Sequence, residues 1–219
     1  MKAAQQWLAP LTLIGGVLLA GCSLVNESAS VHPVPHTISG NGQATTLRQD
    51  QTVQATTLTA LLDQALRRRY TPRIPQHLVI TNIYLSGANG FVQFRATVAG
   101  QLREGLLYAV RREKTWVLQF MTTATHDRQS PFTVQEMVGQ VATPPYQDYL
   151  VIGGMSNKPT IAHIVVTTPE KVTDFVVGPP DRSYLYIDIG LSLKKSPGLI
   201  SIEALDSQNR VVAKWPARP

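Results

Sequence analysis

Apolar residues recur at two different periods along this chain, and the change of period organises it. Leu58, Leu61, Leu62, Ala65 and Leu66 fall at i, i+3, i+4, i+7 and i+8, which predicts a helix over residues 58–69 with one apolar stripe. Thr56 or Thr57 can cap its start, and Pro72 discourages its continuation. Beyond it the period falls to two. Residues 77–85 (HLVITNIYL) read as a strand and are followed by the turn-rich Ser86-Gly87-Ala88-Asn89-Gly90. Residues 91–98 alternate Val92, Phe94, Ala96 and Val98 against Gln93, Arg95 and Thr97. A shorter apolar run at 105–110 leads through the charged turn Arg111-Arg112-Glu113-Lys114 into a strand from Trp116, where Trp116, Leu118 and Phe120 share a face. One helix ahead of an antiparallel meander predicts a compact α+β unit over residues 56–125.

The last third has a different texture. Short strands are predicted at 149–153, 161–168, 172–178, 184–190, 199–205 and 211–215. Turn chemistry separates them, as in Ser156-Asn157-Lys158-Pro159 and Asp206-Ser207-Gln208-Asn209. Strands spaced by about ten residues with such turns predict a small all-β sandwich over residues 149–219. Leu185, Ile187 and Ile189 face one way, and Tyr184, Tyr186 and Asp188 the other. Between the two regular parts, residues 126–148 contain Pro131, Pro144 and Pro145 and read as a connector with a short helix at 134–141.

Ahead of the helix the periodicity disappears. Residues 22–55 are rich in Ser, Thr, Asn, Gln, Gly and Pro and read as a flexible tether. Before them lies a leader: Lys2, an apolar run over residues 8–19, and the small-residue site Leu19-Ala20-Gly21-Cys22. The run is broken by Pro10, Gly15 and Gly16. It is also shorter than the roughly 20 residues that a spanning helix needs. This layout is that of a secretory signal over residues 1–21, and its end resembles the lipobox of bacterial lipoproteins. The resemblance implies cleavage before Cys22, acylation of that thiol, and residence on the extracytoplasmic face of a membrane. Cys22 is the only cysteine in the chain, so the remainder carries no disulfide framework. Ser23 stands where the inner-membrane retention signal of such lipoproteins usually has Asp, which leaves an outer membrane or a Gram-positive surface.

Composition narrows the classes. A hydrophobic content of 43% and a charged content of 16% fit a folded body of one large or two small domains. The net charge is +6, and loss of Lys2 with the leader leaves 19 basic against 14 acidic residues, near +5. Charge speaks to solubility and non-specific attraction. For a surface protein the nearest polyanions are lipid heads and wall polymers, and nucleic acid is not an expected partner.

Few residues carry candidate chemistry. Arg67, Arg68, Arg69 and Arg73 could form an anion site, although cations in a last helical turn also complement the helix dipole. Tyr146, Tyr149, Tyr184 and Tyr186 could form an aromatic strip for a glycan or peptide, although strand tyrosines usually pack half-buried. His32 and His36 flank a Pro-Val-Pro segment whose polyproline II rise separates them by roughly 12 Å, a poor start for a shared metal. His126 beside Asp127 resembles a fragment of a general-base site, and His77 stands alone at a strand start. No G-x-S-x-G, phosphate loop, H-E-x-x-H or calcium loop occurs, and no cofactor or metal set is evident.

The helix at 58–69, the paired strands and the charged turn before Trp116 resemble the cystatin-like and NTF2-like domains of exported lipoproteins. The closing stretch LISIEALDSQNRVVAKWP is similar to the final hairpin of immunoglobulin-like domains. These resemblances imply modules that bind, dimerise or pack on others. The expected function is a binding or scaffold role at the cell envelope without chemistry of its own, with envelope proteins or anionic wall polymers as partners. An envelope hydrolase or accessory enzyme subunit working in an inter-domain cleft, and a surface sensor, are the alternatives.

Overall fold

The computed structural model describes residues 52–191 and 199–216. Among them the fold is antiparallel β-sheet with one short helix. Helix α1 (Leu58–Tyr70) starts where Thr57 leaves the helical region and its side chain accepts a hydrogen bond from Ala60 N at 3.1 Å. It ends where Thr71 Oγ1 donates to the Arg67 carbonyl at 2.7 Å, just before Pro72. Leu58, Leu61, Leu62, Ala65 and Leu66 are its buried face, as the 3.6-residue period predicts.

That face lies on a five-stranded sheet of β1 (Gln54–Ala55), β2 (Gln76–Ser86), β3 (Asn89–Val98), β4 (Gln101–Arg112) and β5 (Thr115–Thr125), in the order β1-β5-β4-β3-β2. Tight turns allow consecutive strands to pair. Ala99 and Gly100, both at positive φ, join β3 to β4. The anticipated charged turn joins β4 to β5, with Glu113 at φ 52°. Val92, Phe94, Ala96, Leu107, Ala109, Trp116 and Met121 meet the helix in one core. Each of the largest of these side chains contributes about 1.5–3 kcal/mol by burial. β1 departs from expectation. It falls in the segment read as tether, yet Gln54 pairs with Val117 and Ala55 with Trp116, and Val53 and Ala55 are buried.

The remaining strands make two more sheets. β6 (Gln135–Gln140), β7 (Asp148–Met155) and β10 (Ser183–Leu191) run in the order β10-β7-β6. β8 (His163–Thr167), β9 (Val172–Val176), β11 (Ser201–Leu205) and β12 (Val211–Trp215) run in the order β12-β11-β8-β9. The helix expected at 134–141 is therefore strand β6, paired with β7 from Gln135–Gly153 to Gln140–Asp148.

Each sheet shares a buried cluster with the next. The face of the first sheet away from α1 supplies Phe91, Leu106, Tyr108 and Val110. These meet Met137, Val141, Tyr149 and Val151, with Leu185, Ile187 and Ile189 packed beside them. The opposite face of β7 and β10 supplies Leu150, Ile152, Tyr184 and Tyr186, which meet Ile164, Val166, Ile202 and Ala204 of the third sheet. The alternation in β10 thus separates two cores. The middle sheet is covered on both sides, and β7 is buried at every position between its two ends.

Candidate functional site

Alternation along β4 turns Glu104, Leu106, Tyr108 and Val110 toward the second sheet. Three of these are apolar or aromatic, and Glu104 is a carboxylate in the same row. Its side chain is 4% exposed, and that of the nearby His126 is 6% exposed. Glu104 Oε1 lies 3.4 Å from His126 Nδ1, and Glu104 Oε2 accepts from Thr133 Oγ1 at 2.8 Å. Thr133 Oγ1 in turn accepts from Met155 N at 3.0 Å, and the Thr133 carbonyl accepts from Tyr184 OH at 2.7 Å. Burial, and then the nearby Glu104 charge, holds the Tyr184 hydroxyl well above its usual pKa, so it stays a neutral donor.

The same seam carries further polar bridges between sheets. Gln93 Nε2 donates to the Gly154 carbonyl at 2.9 Å, and Thr122 Oγ1 donates to Gln135 Oε1 at 3.2 Å. Asn82 Nδ2 donates to both Gln93 Oε1 at 2.7 Å and Ser183 Oγ at 2.8 Å. Glycine at 153 and 154 permits this approach. A Cβ on Gly153 would stand 2.9 Å from Leu106 Cδ2, and one on Gly154 would stand 1.9 Å from the Thr133 carbonyl oxygen. Neighbouring protein, rather than a ligand, occupies that close contact.

Chemically, this cluster positions the sheets. The Thr133 hydroxyl donates to Glu104 and accepts from Met155 N, so both of these hydrogen bonds are internal. The pairing with Asp127 suggested by sequence adjacency does not form. Asp127 is exposed and its Oδ1 accepts from Gln129 N at 2.9 Å, while His126 turns to Glu104, 22 residues earlier. His77 is exposed at φ 50° in β2. Glu104 was invisible to motif reasoning, but carrying the alternation of Leu106, Tyr108 and Val110 two residues back would have found it.

The other candidate residues separate in space. Tyr149 sits in the core between the first and second sheets, Tyr184 and Tyr186 sit in the core between the second and third, and only Tyr146, 62% exposed, meets solvent. These four make no continuous strip. Consecutive arginines on α1 diverge by about 100° each. Arg67 Nε pairs with Asp63 Oδ2 at 2.7 Å. Arg68 Nη1 donates to the Thr52 carbonyl at 3.4 Å. Arg69 turns inward toward the Met121 carbonyl, and burial lowers its pKa. Arg73 is exposed beyond the helix. Helix termination and packing occupy the first three. In the last turn of sheet, Asp206 Oδ1 accepts from the backbone N of Gln208 and of Arg210, and its Oδ2 pairs with Arg210 at 2.7 Å. That carboxylate is held below its usual pKa, first by the Arg210 side chain. Cys22, His32 and His36 lie outside the described residues. Among the described residues no group of three or more His, Cys, Asp or Glu is arranged to hold a metal ion, and no helix is long and apolar enough to cross a membrane.

No protein-family model matches this chain, and neither does any curated protein or solved structure.

Proposed function

We propose that this chain is an extracytoplasmic lipoprotein, exported by residues 1–21, acylated at Cys22, and serving as a binding or scaffold module at the cell envelope. In this reading residues 56–125 are a cystatin-like or NTF2-like unit, and the later strands are an immunoglobulin-like sandwich. The observation that carries the anchor is Leu19-Ala20-Gly21-Cys22, with the only thiol of the chain at the position where acylation needs one. The non-enzymatic role draws support from the buried polar groups: Glu104, Thr133 and Tyr184 spend their hydrogen bonds on one another, on His126 and on backbone. The partners are envelope proteins or anionic wall polymers, in keeping with the basic balance of the chain.

The anchor is tested by labelling cells with a radioactive fatty acid. The wild-type chain incorporates label and sediments with membranes, and Cys22→Ser abolishes both. Retention of label in the serine variant overturns the anchor. The binding role is tested by crosslinking intact membranes and recovering the chain. Repeated recovery with neither a partner protein nor wall polymer overturns that role.

A further inference from the structure

Among the described residues, three sheets present six outer strands: β1, β2, β6, β10, β9 and β12. Free edges invite pairing with other chains, and charged side chains are a usual defence. β10 carries Asp188, β9 Asp174 and β12 Lys214, and β6, whose Glu136 is buried, is only six residues long. β1 is only two residues long. β2 is different. Its eleven residues, QHLVITNIYLS, include no Asp, Glu, Lys, Arg or Pro, and Val79, Ile83, Tyr84 and Leu85 are all exposed.

The first half of β2 is irregular, with register shifts between Gln76 and Val79 and between Ile80 and Asn82. From Asn82 to Ser86 the pairing with β3 is uninterrupted, so this part offers a regular outer edge. Ile83 and Leu85 lie on the helix side of the sheet, opposite Val92 and Gly90. Tyr84 lies on the other side, 6.5 Å from the Phe91 ring.

We propose that residues 82–86 of β2 pair antiparallel with the same residues of a second copy of this chain, about a two-fold axis at Tyr84. In that register Ile83 faces Leu85 of the other copy and Leu85 faces Ile83, both on the helix side. Tyr84 faces Tyr84 on the opposite side, and Asn82 faces Ser86. Apolar meets apolar, aromatic meets aromatic, and polar meets polar. An isologous contact requires such self-complementarity. Cross-strand aromatic and β-branched pairs favour this match. With no charge in the strand, nothing in it repels a copy of itself. Five residues a side is small beside the about 20–30 of a standard interface. The dimer is therefore weak and forms at high local concentration. It does not depend on acylation of Cys22.

The test uses the full chain carrying Cys22→Ser, so that one introduced thiol is the only one present. Directly opposed residues in an antiparallel pair have Cα atoms about 4.5–5.5 Å apart, within disulfide reach. Under mild oxidation Tyr84→Cys should form covalent dimer at least fivefold faster than Val176→Cys, although Val176 is 82% exposed on β9. Adding Leu85→Lys, at a position 58% exposed, should slow the Tyr84→Cys crosslink at least fivefold and leave the melting curve unchanged. Equal crosslinking at 84 and 176, or no effect of Leu85→Lys, overturns the proposal. If Tyr84→Cys itself melts early, sedimentation decides. Self-association of the tyrosine-bearing chain that Leu85→Lys removes supports the pairing. A chain monomeric at high concentration overturns it, and the edge then takes a strand from a different protein.

Discussion

The seam between the first and second sheets is closed in two different ways along its length. At one end Phe91 and Tyr108 stack with centroids 4.8 Å apart, and Tyr149 packs against both at 5.2 and 5.1 Å. Four residues along β4 from Tyr108, Glu104 holds Thr133 and His126 through directional contacts. Aromatic burial is large and tolerant of small shifts, and such ring pairs add about 0.5–1.5 kcal/mol beyond area. A buried hydrogen-bonded carboxylate is different: its net gain is small, but losing a partner is costly. The aromatic end therefore supplies most of the adhesion between the sheets. The polar end sets where one sheet sits on the other, because its bonds form only in one relative position. Even the rings obey this division. Tyr108 OH donates to Asn89 Oδ1 at 2.8 Å and accepts from Ala142 N at 2.7 Å, so its polar tip is satisfied at the margin of the apolar cluster.

Breaking the aromatic end should have the largest effect. Tyr149→Ala removes a ring from a filled core and is expected to cost about 3–5 kcal/mol in chemical denaturation, as large aromatic truncations do. A loss under 1 kcal/mol would mean that the rings do not bear the seam. At the polar end Glu104→Ala leaves the Thr133 hydroxyl without its acceptor and is expected to cost about 1–3 kcal/mol. Glu104→Gln keeps an acceptor for Thr133 and should cost less than Glu104→Ala. If the two substitutions cost the same, the hydrogen bond from Thr133 is not what the carboxylate contributes.

A control carboxylate sharpens the contrast. Glu136, on β6, is also buried, and burial raises its pKa from 4.5. The folded chain then holds a proton that the unfolded chain has released. Stability from this group is complete below about 4.5 and declines as pH rises through the elevated folded value. Glu136→Gln should accordingly raise the melting temperature at neutral pH, by less than Glu104→Ala lowers it, and the gain should vanish in acid. A variant less stable than wild type at neutral pH would show that Glu136 has a stabilising partner.

Where burial followed hydrophobicity, the sequence was readable. The stripe from Leu58 to Leu66 and the alternation from Tyr184 to Ile189 both locate real elements and their faces. β6 was missed because its buried positions include Gln135 and Glu136, so neither period emerges from its pattern. The faces of β10 could be read, but not what covers each one. A sheet paired through residues far apart in sequence leaves no local trace, and so three of the four candidate tyrosines proved to be core. β1 was hidden for a related reason: two residues are too few to show a period, and a neighbouring strand makes them a strand.

Layer order also has a consequence in time. The face of the first sheet bearing Phe91, Leu106, Tyr108 and Val110 is complete once β4 has been synthesised, yet its cover comes from Met137, Val151 and Ile189. During synthesis that greasy face must wait, unsheltered, until β6 and β7 arrive, and its margin is closed only when β10 follows. Products that stop short of residue 189 are thus the ones most prone to clump.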